Sequence, residues 1–207
     1  MSVRWSRRDF SAGSAEIAKR LIGSTLVRIL DDGERLSGMI VETEAYLGVE
    51  DAAAHSFGGR RTARNEAMYA VGGTAYVYFT YGMHHCVNVV CGGIDEPVAV
   101  LIRALEPMEG MERMTALRNA GGRRKTPMRH RDLCSGPGKL CQALAIDRGL
   151  NGVDLVSSDV LWIEKPATRR KVRLANGPRI GVAYAGEWAG RPYRWWMEGN
   201  ANVSGRR

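Results

Sequence analysis

The chain has 207 residues and a mass of 22.8 kDa, room for one large domain or two small ones with a core that needs no disulfide staples. A hydrophobic share of 44% with 25% charged residues excludes disordered, collagen-like and fibrous classes, and no apolar run approaches the ~20 residues that a bilayer span requires. The net charge is +8, and 25 of the 30 basic residues are Arg; guanidinium forks match phosphates and stack on bases, which suits a nucleic-acid partner, although an Arg-for-Lys bias of genome composition gives the same count.

The first eight residues lack the apolar stretch of a secretory signal. A cytoplasmic setting is therefore expected, with the four cysteines at 86, 91, 134 and 141 as free thiols. Their spacing offers no Cys-x-x-Cys pair and no finger-spaced His, so no metal is expected. Residues 14–22 set Ile17, Ala18, Leu21 and Ile22 at helical spacing, with Gly23 as the stop. Residues 25–30 read as a strand, Asp31-Asp32-Gly33 as a turn, and 35–46 as a longer antiparallel strand. Two more strands, 74–79 and 84–90, flank Tyr81-Gly82-Met83, and 98–103 is a short one. Met108, Met111, Met114 and Leu117 recur every third residue on a helix expected over about 107–118, a stripe that reads as core filling. Seven Lys or Arg and no acid lie between Arg113 and Arg131, with Gly121-Gly122 inside, which reads as a flexible basic loop. Ser135-Gly-Pro-Gly138-Lys139 leads into a helix over 140–146 through a turn whose backbone N–H groups can hold an anion. Late strands at 161–163, 179–182 and 194–197 complete the sheet. No linker divides residues 1–207, so a single α+β domain with a curved, mostly antiparallel sheet is expected.

Strand alternation places Glu42, Glu44 and Tyr46 on one face and Val41, Thr43 and Ala45 on the other. A carboxylate beside an aromatic wall can act as a general base on water; on an edge strand the same acids would merely face solvent. Tyr76 and Tyr78 share a face of their strand, where tyrosines are ordinary β formers. Tyr81 falls at the hairpin tip, where a large ring is hard to bury; with so much Arg nearby it fits a wedge between base steps. Arg103 is a snorkelling edge residue or a phosphate clamp, Asn88 caps a backbone group or reads a base edge, and His55 sits in a loop of small and basic residues.

The ordered set Glu42-Thr-Glu-Ala-Tyr-Leu-Gly48, Ala54-His55-Ser56, Arg64-Asn65, Tyr76-Val-Tyr78, Tyr81-Gly-Met83, Arg103-Ala-Leu-Glu-Pro107 and Gly138-Lys-Leu-Cys-Gln-Ala-Leu144, with Gly186-Glu-Trp188 near the end, resembles the alkyladenine (3-methyladenine) DNA glycosylase family. The resemblance runs from about Asp9 to the C-terminus. It implies a mixed α/β fold with a protruding hairpin and a monofunctional hydrolase acting as a monomer on double-stranded DNA without a cofactor. Such an enzyme flips out alkylated or deaminated purines (3-methyladenine, 7-methylguanine, hypoxanthine, ethenoadenine) and leaves an abasic site in base excision repair. Position by position, Glu44 would be the general base and Arg103 would lie near the attacking water. Tyr46, His55 and Tyr78 would form the pocket walls, Asn88 would reject guanine, and Tyr81 would intercalate. Met83, Gly138 and Lys139 are expected along the DNA backbone. Phe57 and the pair His84-His85 depart from the family pattern.

Overall fold

The computed structural model describes residues 3–120, 128–166 and 172–205. Among them the chain forms an eight-stranded antiparallel sheet in a single mixed α+β domain. The strands are β1 (Thr25–Ile29), β2 (Arg35–Tyr46), β3 (Ala75–Thr80), β4 (His84–Cys91), β5 (Val98–Glu109), β6 (Leu161–Glu164), β7 (Leu174–Gly177) and β8 (Arg194–Met197), with helices α1 (Ser14–Leu21), α2 (Met111–Asn119) and α3 (Pro137–Ala143). Their order is β3-β4-β5-β2-β1-β6; β8 pairs with β2 and β7 with β8.

The long β2 strand organises the molecule. β5 runs along one side of it, while the other side is shared between β1, opposite residues 35–39, and β8, opposite residues 42–44. One face of this central strand packs on α1, whose Ile17, Ala18 and Leu21 are fully buried, and the Thr43 hydroxyl donates to the Ala18 carbonyl at 2.9 Å. Glu42 and Glu44 lie off that face, yet both are fully buried too. β2 is therefore not an edge strand whose acids meet solvent.

Cross-strand register then determines what surrounds Glu44. Residues directly opposite in a ladder point to the same side of the sheet. Tyr76 on β3 faces Asn88 on β4, Asn88 faces Leu101 on β5, Leu101 faces Glu44 on β2, and Glu44 faces Arg194 on β8. One row thus crosses five strands. The opposite face holds the main core, in which Val77, Val87, Val89, Val100 and Ile102 pack with Phe10, Leu21 and Leu140.

Several elements differ from expectation. β5 continues to Glu109 where a helix start was expected, because Pro107 pairs with Gly38 at a register irregularity, a place where a strand tolerates a missing N–H. Met108 is consequently exposed, and only Met114 of the expected stripe is fully buried. Residues 179–182 do not form a strand: Gly181 has a φ of +80°, and the segment bends instead. β7, an edge strand with half-exposed residues, has no clear sequence alternation. The first part of the expected basic loop is α2, in which Arg118 is buried and donates to Gln142 at 2.7 Å, while Arg113 pairs with Asp32 at 3.0 Å. Residues 121–127 of that loop lie outside the described residues. Among the described residues no helix is long and apolar enough to cross a membrane.

Candidate active site

A cavity of 260 Å³ opens on the side of the sheet that carries the Tyr76–Asn88–Leu101 row. Tyr76, Tyr78, Cys86, Asn88, Leu101 and Arg103 line its floor from β3, β4 and β5. Tyr46, Ala53 and His55 come from the end of β2 and the following loop, Pro137 from the start of α3, and residues 180–184 close the far side. Tyr81 reaches the mouth from the hairpin.

Glu44 lies one layer behind this wall, beneath Tyr46, Arg103 and Ile180, which do line the cavity. Its Oε2 accepts the Tyr46 hydroxyl at 3.0 Å, and its Oε1 accepts the Ile180 backbone N–H at 2.7 Å and faces Arg103 Nη1 at 3.2 Å. A carboxylate offers about four acceptor positions. Among the described residues three donors meet it, two on Oε1 and one on Oε2. Glu42 is bonded by as many donors: it accepts Arg103 Nε at 3.2 Å, Arg194 Nη1 at 3.1 Å and the Ser204 N–H at 2.6 Å. Two buried carboxylates thus meet two guanidinium groups, the charge balance that burial demands. Burial alone would lower the Arg103 pKa; the carboxylates of Glu44 and Glu42 outweigh it and leave the pKa raised, so the side chain is a fixed cation.

The aromatic wall is uncharged. Burial, followed by the neighbouring Arg64 and Arg60, pushes His55 down to about 4, so its imidazole is neutral at pH 7. Its Nδ1 lies 2.8 Å from the Tyr76 hydroxyl, and its ring meets Tyr78 edge-on with centroids 4.6 Å apart. Burial, and then the charge of Glu44, holds the Tyr46 phenol well above its ordinary range; burial, and then the Cys86 thiol, does so for Tyr78. Both remain hydroxyl donors. Asn88 is buried at the cavity, and its amide donates to the Tyr76 carbonyl at 3.0 Å.

At the mouth, β3 and β4 pair from Ala75–Val89 to Thr80–His84, and the three residues between them form the connection. Tyr81 and Gly82 both have positive φ, +50° and +66°. This conformation suits Gly and is rare for a bulky residue. Tyr81 is 82% exposed and Met83 69%. Beside the hairpin, α3 begins so close that a Cβ on Gly138 would lie 3.0 Å from the His84 ring. The exposed Lys139 Nζ lies 3.3 Å from Ser135 Oγ. Of the three residues expected along the DNA backbone, none lines the cavity: Met83 and Gly138 border a separate depression with His84, and Lys139 borders another with Ser135.

The structure brings Tyr46, His55, Tyr78, Tyr81, Asn88 and Arg103 together around the cavity with Glu44 behind them, and leaves Met83, Gly138 and Lys139 outside its lining. It adds Tyr76, which sequence alternation leaves as an ordinary strand tyrosine but which fixes His55, and the segment 180–184. The alternation of Ile180 and Val182 imitates a strand; Pro178 before it and Gly181 within it are the signals for a bend. All four cysteines are free and buried. Among the described residues no cluster of His, Cys, Asp and Glu could hold a metal.

Comparison with known proteins gives the same set of residues a family context. The family model described as methylpurine-DNA glycosylase matches residues 8–201. The chain is 45% identical over 198 residues to the DNA-3-methyladenine glycosylase of Homo sapiens, covering 94% of this chain and 66% of that protein. It is 46% identical over 208 residues to the Mus musculus protein of the same name, covering 98% of this chain and 62% of the relative. It is also 44% identical over 199 residues to a putative 3-methyladenine DNA glycosylase of Bacillus cereus, covering 94% and 96% of the two chains. The chain thus spans just under two thirds of the length of the mammalian relatives and nearly all of the bacterial one. By this match and by the collinear residues that build its cavity, the chain belongs to the methylpurine-DNA glycosylase family.

Proposed function

We propose that the protein is a monofunctional DNA glycosylase that draws an alkylated or deaminated purine out of duplex DNA and hydrolyses its N-glycosidic bond. The observation that carries this is Glu44: a buried carboxylate, bonded to the Tyr46 hydroxyl and to Arg103, both of which line the cavity, directly behind a wall of aromatic rings. Glu44 takes a proton from water, the water oxygen attacks C1′, and the electron pair of the C1′–N bond leaves with the base. An abasic site remains. The negative charge of Glu44 also favours the positive character that develops on the sugar.

The wall supports selection of cationic bases. 3-Methyladenine and 7-methylguanine carry a positive charge in DNA, and each aromatic face attracts a desolvated cation by ~0.5–2 kcal/mol. A neutral His55 adds no repulsion. Cationic bases also leave readily, so the site needs a base more than an acid. Tyr81, exposed beside the cavity, fills the gap left in the duplex, and unstacking costs a few kcal/mol, least at weakened pairs. Asn88, held by the Tyr76 carbonyl, presents its amide to the base edge and discriminates against guanine. Lys139 and the start of α3 hold the phosphate backbone. Among the described residues no Lys lines the cavity, so a Schiff base and strand-cleaving lyase chemistry are not expected.

Duplexes each carrying one 7-methylguanine, hypoxanthine or ethenoadenine test this reading, with alkali used to reveal abasic sites. Lesion-dependent cleavage only after alkali is expected. Tight binding with no base released from any lesion would instead indicate a catalytically silent DNA-binding module.

A further inference from the structure

Arg179 and Asp51 form an ion pair in which both side chains are fully buried. Arg179 Nη1 and Nη2 donate to Asp51 Oδ2 and Oδ1 at 2.5 and 2.8 Å, and Nη1 also donates to the Ala45 carbonyl at 2.8 Å. Asp51 accepts the backbone N–H groups of Leu47 and Ala53 as well, each at 3.0 Å. Buried pairs of this kind often add little net stability over apolar side chains of equal volume. What this pair does is join three segments: the end of β2, the turn that leads to Ala53 and His55, and residues 179–182.

The third segment bears on the chemistry. Ile180, next to Arg179, donates its backbone N–H to Glu44 Oε1 at 2.7 Å. The guanidinium also lies over the Tyr46 ring, 4.9 Å from its centroid, and the Tyr46 hydroxyl donates to Glu44 Oε2. Two of the three donors on Glu44 are therefore seated on Arg179. The third is Arg103, and the remaining charged neighbours, Glu42 and Arg194, are bonded to each other.

We propose that Arg179, braced by Asp51, is a positioning residue that seats the Ile180 N–H and the Tyr46 hydroxyl on Glu44 and so fixes the orientation of the carboxylate behind the cavity wall. The role rests on Glu44 being the general base, and the tests separate the two. In the intact protein labelled with ¹⁵N, the Ile180 amide resonance should titrate together with the acid limb of single-turnover 7-methylguanine excision; this cationic base needs no proton donor, so that limb reports the base. Arg179→Lys keeps the charge and loses the fork, and should slow excision about tenfold through lost orientation while lesion-DNA affinity stays within about threefold. Its acid limb should move to higher pH, because losing a donor to a carboxylate favours the neutral acid. Ile180→Pro removes the donor while leaving the buried pair in place, and should shift the limb in the same direction even if Arg179→Lys does not fold. An Ile180 amide that stays flat through the acid limb, or variants that melt lower but keep the wild-type pH profile, would overturn the positioning role. Full activity of Glu44→Gln would instead remove the base itself.

Discussion

The imidazole of His55 shows how one side chain links pH, stability and selection. In the fold it is pushed down to about 4 from an ordinary 6.5, by burial first and then by Arg64 and Arg60. Between those values the unfolded chain binds a proton that the folded chain refuses. Stability from this residue is therefore complete above pH 6.5 and declines as pH falls toward 4. His55→Gln should flatten this part of the stability–pH curve in chemical denaturation, and the His55 imidazole resonances of the folded protein should stay those of the neutral ring at pH 6; titration of His55 near 6.5 would contradict the buried, neutral wall. Glu44 and Tyr46 were legible as sharing a face because strand alternation is local. The partners of Glu42 were not, because Arg194 and Ser204 lie about 150 residues further along the chain and meet it only through β8 and the C-terminal segment.

Among the elements, the β3–β4 hairpin carries the clearest mark of use. Its connection holds Tyr81 at a φ of +50°, where a bulky residue costs roughly 1–3 kcal/mol and persists only if the surroundings enforce it. Tyr81→Ser removes the ring and should weaken capture of the extruded nucleotide. Stopped-flow fluorescence of a lesion reporter should show a smaller flipped population and a faster return to the stack; an unchanged trace would reject the wedge. The hairpin was readable because two β-rich runs bracket Tyr-Gly. The length of β5 was not, since Glu106-Pro107-Met108 looks like a helix start until Gly38 is seen opposite Pro107. The bend at 179–182 escapes the sequence for a related reason: its apolar alternation is real, but among the described residues no strand pairs with it, and Ile180 turns its N–H to Glu44.

At the scale of the whole molecule, a net charge of +8 supports a long-range attraction to DNA, yet much of the arginine is committed within the chain. Arg103, Arg118, Arg179 and Arg194 are bonded to internal partners, so total charge overstates the number of phosphate contacts. Binding should therefore weaken with salt at a slope set by a few exposed cations, Lys139 among them. Lys139→Ala should reduce the slope of log affinity against log salt by about 1, with little effect on lesion preference, whereas an unchanged slope would move the backbone path away from α3. In the proposed function the fold, the hairpin and the buried acid serve one event, the activation of a water beneath an extruded base. Single-turnover excision by Glu44→Gln on a 7-methylguanine duplex, with binding measured alongside, tests that event most directly. The account predicts affinity within about threefold of wild type and a rate at least about 100-fold lower; base release at the wild-type rate would contradict it.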